Sequence, residues 1–174
     1  MLQNLLKSIA RPIAEPAIET LYRQCVAAAR QPVFYRDWKA PDTLDGRFDL
    51  LILHVLLVIY RLQTHTRETQ QLFDILFADM DKNLRQIGVS DIRIAKKMKP
   101  LLAAFYGRAK IYEQALATED STLADALARN IYGNVEVAPE NLSSLTAYVR
   151  EARKILAAQK TEDILAGKLA FPKV

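Results

Sequence analysis

The sequence holds a single cysteine, Cys25, among 174 residues. One thiol excludes an internal disulfide framework and a zinc site built from cysteines. Two histidines, His54 and His65, are too few for a histidine-rich metal centre. Five glycines is a low count, and none stands in a pattern that cradles a phosphate. The longest nearly apolar run, Phe48 to Tyr60, is interrupted by Asp49 and His54, and a membrane-spanning helix needs about 20 apolar residues. The N-terminus, Met1-Leu2-Gln3-Asn4-Leu5-Leu6-Lys7, has no basic stretch ahead of an unbroken apolar core, so it does not read as a secretory signal. These absences place the chain in the cytoplasm. No cofactor, metal or catalytic constellation is expected.

What is present is ordinary globular material. Apolar residues make up 51% and charged residues 25%, enough apolar matter to build a core without staples. The length fits one domain over residues 1–174, with 1–12 and 170–174 as tails. The net charge is +4, unevenly spread: residues 88–110 carry six bases and one acid, and residues 111–145 carry one base and six acids. Adjoining blocks of opposite sign create a directional field.

Strand signals are weak and helix signals strong. A helix is expected from Glu15 to Ala29, with Pro16 in its first turn and a stripe of Ile18, Leu21, Tyr22, Cys25 and Ala29. Residues 30–42 form an aromatic, proline-rich connector that should pack on the domain. Asp42 or Thr43 caps a helix to Gln63 that is apolar nearly all round and therefore central. Further helices are expected over 66–86, stopped by Gly88; over 90–116, kinked or divided by Pro100; over 120–133; over 139–159; and briefly after Thr161. The expected architecture is all-α, a compact bundle of about seven helices.

His54, with no catalytic partner beside it, reads as a buried neutral histidine bonded to a backbone carbonyl or a hydroxyl. Asp74, Asp79 and Asp81 lack the Glu-x-x-His pattern of helix-bundle metal sites and read as a solvated acidic face. Arg93, Lys96 and Lys97 fall at i, i+3 and i+4, a candidate basic docking face for RNA, anionic lipid or an acidic partner. Gly107 costs a helix interior about 1 kcal/mol relative to alanine, which points to a neighbour packed against its backbone. Phe34, Tyr35, Trp38, Tyr106 and Arg108 are the candidate client- or partner-binding residues.

Two segments carry a resemblance. The first is Phe34-Tyr35-Arg36-Asp37-Trp38, then Pro41-Asp42-Thr43-Leu44-Asp45-Gly46-Arg47-Phe48-Asp49 and the run to His54. The second is Leu76-Phe77-Ala78-Asp79-Met80-Asp81, through Leu84 to Asp91, then Lys96-Lys97-Met98-Lys99 and Phe105-Tyr106-Gly107-Arg108. In order and spacing, over roughly residues 30–160, these resemble the ubiquinol–cytochrome c chaperone family in its alphaproteobacterial form. The resemblance implies a non-enzymatic factor that binds newly made cytochrome b during assembly of the ubiquinol–cytochrome c reductase complex. It also implies contact with the ribosome and a small partner protein, while the basic face of Arg93, Lys96 and Lys97 reads as a docking face for ribosomal RNA or the inner face of an anionic membrane. The rivals are an enzyme centred on His54 or Tyr106, and a nucleic-acid- or membrane-surface-binding adaptor. A nucleic-acid module requires the bases of 88–110 and 146–160 to merge into one stripe.

Overall fold

The computed structural model describes residues 15–118 and 120–174; the expected tail at 1–12 lies outside them. The apolar run of Phe48–Ile59 forms the heart of α3 (Leu44–Arg61), and every residue from Leu50 to Ile59 is buried. A helix with no polar side has to be enclosed. Four helices pack against it: α1 (Pro16–Ala29), α4 (Thr66–Gln86), α5 (Asp91–Leu116) and α7 (Pro139–Ala158). α2 (Pro32–Arg36) lies in the connector after α1, and α8 (Thr161–Leu165) follows α7. α6 (Asp120–Leu127) bridges α5 and α7 and runs straight into a π-helical turn over Ala128–Tyr132, which touches α3. The regular structure of the described residues is wholly helical. Full burial of a leucine or isoleucine contributes about 1.5–3 kcal/mol, and Leu50, Ile52, Leu53 and Leu56 are all buried to 1% exposure or less.

Helix ends are closed by side chains from other elements. Thr43, rather than Asp42, caps α3: its Oγ1 accepts the Gly46 N–H at 3.1 Å. Arg61 leaves the end of α3 and donates to the carbonyls of Leu156 (2.8 Å) and Gln159 (2.7 Å), satisfying orphan acceptors at the end of α7. Arg150 and Arg153 do the same for α5, donating to the carbonyl of Leu116, with Arg150 also reaching that of Thr118. Gly88 ends α4 at φ +84°, with Gly88 N–H bonded to the Arg85 carbonyl and Val89 N–H to that of Leu84. That is the Schellman arrangement, which favours glycine at the left-handed position.

Four expectations need correction. The connector holds an unexpected element, the short helix α2 started by Pro32. Pro100 does not divide α5, which continues through it to Leu116; Pro100 is exposed, so water can reach the Lys96 carbonyl that its missing N–H leaves free. Nothing packs against Gly107: a Cβ built there meets open space. The C-terminal residues are not a loose tail. Gln24 accepts the Leu169 N–H and donates to the Gly167 carbonyl, both at 2.8 Å, and Gln159 brackets Ala170 in the same way. Phe171 then lays its ring edge-on to His54, 5.1 Å between centroids.

Gly46 is where the chain tolerates nothing larger. A Cβ there would lie 2.1 Å from the Pro41 carbonyl oxygen. Alanine normally favours a helix over glycine by about 1 kcal/mol. Here Gly46→Ala should instead destabilise by about 2 kcal/mol or more, because the Pro41–Thr43 segment has to move. Urea denaturation checks this, and a variant as stable as the parent contradicts the close approach.

Candidate functional site

The first family-like segment folds into an aromatic seam. The Phe34 N–H bonds to the Gln31 carbonyl and the Ala40 N–H to that of Phe34, coiling residues 31–40 over α3 and α7. Phe34 becomes fully enclosed, its ring edge-on to Trp38 (5.3 Å), Tyr148 (5.0 Å) and His54 (5.7 Å). Edge-to-face pairs of this kind each contribute about 0.5–1.5 kcal/mol beyond area burial. The Tyr132 hydroxyl donates to the Trp38 carbonyl at 2.8 Å, pinning the connector to the π-helical turn. Trp38 and Tyr35 remain half-buried. The Tyr35 hydroxyl donates to the Ala29 carbonyl, and Arg47, paired with Asp42 at 2.5 Å, lies over its ring.

His54 is the polar centre of this seam and behaves as expected. It is fully buried, its Nδ1 lies 2.7 Å from the Leu50 carbonyl and its Nε2 2.8 Å from the Tyr148 hydroxyl. A carbonyl only accepts, so the proton sits on Nδ1 and Nε2 accepts from Tyr148. Burial lowers its pKa to about 4, against the milder raising effect of the Leu50 carbonyl. The ring is neutral at pH 7 with both nitrogens engaged, and it has no free lone pair for proton transfer.

A second polar seam joins α3 to α5. Arg108 pairs with Asp49 at 2.7 Å, and their side chains are only 19% and 14% exposed. Burial raises the Asp49 pKa to about 6; Arg108 opposes the rise and Asp45 adds to it. Tyr112 is fully buried beside this pair, its pKa raised mainly by burial. Arg108 Nε, the Tyr112 hydroxyl and Asn130 Nδ2 are buried donors without a hydrogen bond of normal geometry. Each such donor costs about 1–3 kcal/mol. They gather where α5 meets the π-helical turn, a geometry enriched at functional positions.

The structure separates the expected client-binding residues. Phe34 is closed to any client in this conformation because Trp38 and Tyr148 cover it. Arg108 is committed to Asp49 and half-buried rather than free. Tyr106 belongs to another cluster, with Phe73 and Phe105 at 6.1 and 5.7 Å, and its hydroxyl is buried without a partner. No ring contact joins it to Phe34, Tyr35 or Trp38 among the described residues. Arg93, Lys96 and Lys97 are exposed on α5, with Lys99 beside them. They do not merge with the bases of α7. Arg150 and Arg153 cap the other end of α5 at Leu116, about 30 Å along the helix from Lys96 at 1.5 Å per residue. The acidic residues of α4 are also engaged: Asp79 accepts the Tyr22 hydroxyl at 2.7 Å, Asp81 pairs with Arg85, and Asp74 accepts from Gln70. Among the described residues no cluster of three potential metal ligands occurs, and no helix is long and apolar enough to cross a membrane.

Both seams lie within residues 36–171, apart from Phe34 and Tyr35, and it is this stretch that the profile of the ubiquinol-cytochrome C chaperone family matches. The chain belongs to that family. It is 26% identical over 149 residues to the ubiquinol-cytochrome c reductase complex assembly factor 1 of Mus musculus, covering 83% of this chain and 50% of that protein. It is 29% identical over 148 residues to the mitochondrial protein CBP3 of Saccharomyces cerevisiae, covering 79% of this chain and 44% of that one. The chain thus spans about half the length of these two relatives. The crystal structure of the Cbp3 homolog from Brucella abortus superposes with a TM-score of 0.80 at 36% identity, over 90% of this chain and 89% of that one. The chaperone-family fold is therefore shared nearly end to end.

The two seams respond differently to perturbation. Arg108→Met alone removes the group that keeps the Asp49 carboxyl ionised, so Asp49 takes up a proton near pH 7 and the variant should lose about 1–3 kcal/mol; adding Asp49→Leu should recover most of the loss. Denaturant melts of the single and double variants measure this, and a double variant no better than the single one contradicts it. His54 has a folded pKa below its unfolded value. Its contribution is complete above about pH 6.5 and is lost as pH falls toward about 4. The stability gap between the parent and His54→Gln should therefore narrow by about 3 kcal/mol from pH 7 to pH 4. A gap constant across that range would mean that His54 takes up its proton as readily in the fold as in the unfolded chain.

Proposed function

We propose that this protein is a non-enzymatic assembly chaperone for the ubiquinol–cytochrome c reductase complex and that its client is newly made cytochrome b. The observation that carries the reading is the match to the Cbp3 homolog over 90% of the chain, together with the family profile over residues 36–171. The site geometry agrees. The enzyme reading needs an accessible acid or base, whereas His54 is enclosed with both nitrogens used. The nucleic-acid reading needs one basic stripe, whereas Arg150 and Arg153 are spent on the end of α5. A chaperone for a membrane subunit needs accessible apolar and aromatic surface. The exposed edges of Tyr35 and Trp38 at the mouth of the first seam are the client contact we propose. A small partner protein joins the complex in this reading.

The test uses a tagged full-length chain in respiring cells. Cytochrome b made during a short pulse should co-purify with the protein and leave it during a chase. A deletion strain should lose assembled reductase under conditions that require it. Normal reductase levels in that strain would overturn the reading.

A further inference from the structure

The two most exposed large apolar side chains among the described residues are Ile87 at 63% and Ile92 at 76%. They stand on either side of the turn between α4 and α5, at one end of the molecule. The turn is rigid: the Schellman bonds from Gly88 and Val89 fix the end of α4, and Ile92 sits in the first turn of α5. Such a helix end normally tucks its isoleucines inward, and here Leu84 and Ile94 are already buried while Ile87 and Ile92 are left out.

Cations surround them. Arg93, Lys96, Lys97 and Lys99 are all exposed, and none has a carboxylate partner among the described residues. No acidic residue occurs from Ile92 to Tyr112, and the one at the start of α5, Asp91, is held by Arg85. By the 3.6-residue period Ile92, Lys96 and Lys99 share the outer side of the helix, with Arg93 and Lys97 on its flank. Between Asp91 and Ala104 only Ile94 is fully buried. Met98, Leu101 and Leu102 rest half-buried on the core, so it is the outer side of this half of α5 that can approach a flat surface.

We propose that the α4–α5 elbow is a peripheral anchor for an anionic lipid bilayer. Ile87 and Ile92 enter the boundary between headgroups and acyl chains, while Arg93, Lys96, Lys97 and Lys99 lie over the acidic headgroups. Apolar insertion combined with a basic rim is the two-part signal that gives stable interfacial binding. RNA would engage the cations equally well but gains nothing from two exposed isoleucines, and the elbow offers no aromatic ring on which to stack a base. The anchor does not depend on the client proposed above, and its loss in vitro leaves capture of cytochrome b as a separate question.

The purified chain is floated with vesicles of phosphatidylcholine alone and of phosphatidylcholine mixed with phosphatidylglycerol, across a salt series. Binding should require phosphatidylglycerol and weaken with salt. Ile87→Ser/Ile92→Ser and Lys96→Glu/Lys97→Glu/Lys99→Glu should each lose about tenfold or more, with melts like the parent's because all these side chains are exposed. As an arm independent of loss, the indole introduced by Ile92→Trp should shift its emission to the blue on acidic vesicles, above the fixed signal of Trp38. Equal flotation with both vesicles, a serine variant that floats like the parent, or an unshifted emission from the introduced indole on bound protein overturns the anchor. So does the serine variant co-sedimenting with ribosomes like the parent while neither protein floats with vesicles, which would assign the face to RNA.

Discussion

The fold follows from one constraint: α3 has no side that can face water. A surface helix gives its neighbours a choice of where to pack, but a helix buried from Leu50 to Ile59 gives them none. α1, α4, α5 and α7 each have to present an apolar stripe to it, and their order round α3 is left to the connections. The polar groups that sit on this helix inherit the same constraint. His54 and Asp49 are placed where water cannot satisfy them, so each is answered from another helix: Tyr148 of α7 for the first, Arg108 of α5 for the second. α7 and α5 are thus held to α3 by direction-specific bonds as well as by area, and those bonds fix rotation about the helix axis in a way that leucine packing alone does not.

The two polar seams pull in opposite senses with pH. His54 loses stability for the fold as the medium acidifies, since the unfolded histidine takes up a proton before the buried one does. Asp49 has a folded pKa above its unfolded value, so its contribution is largest at low pH and is lost as pH rises through about 6. Between about pH 4 and 6 the two proton balances largely offset one another. The largely buried run Phe48–Ile59 therefore carries two ionisable groups with little net acid sensitivity arising from them.

The helices were legible because their signals are local. Proline at the first turn of α1 and α7, Thr43 before α3, and Gly88 after α4 mark ends without knowledge of the partner. The neutral state of His54 was also legible, since an isolated histidine in an apolar helix has few alternatives. Its bond to Tyr148 was not, because 94 residues separate them and nothing in the period of either helix refers to the other. The same distance problem hid the commitment of Arg108 to Asp49 and the enclosure of Phe34. An aromatic in a connector looks available until the helix that covers it is placed. Gly107 misled for a different reason: a helical glycine signals missing side-chain volume, and here the space beside it is open. The basic residues of α5 were legible as exposed, but their separation from Arg150 and Arg153 required the length of the helix between them.

The C-terminal segment has a consequence in time rather than in space. Two glutamine side chains hold the backbone of residues 167–170, and Phe171 then closes the aromatic seam over His54. The histidine that Phe171 covers lies in the first third of the chain, and its other partner, Tyr148, also comes late. While the protein is being synthesised, the centre of α3 is made long before either cover exists. Contacts this distant in sequence close last. Until Tyr148 and Phe171 have both been made, α1, α4 and α5 can already pack on α3, but the imidazole at its centre stays unanswered and that side of the helix uncovered.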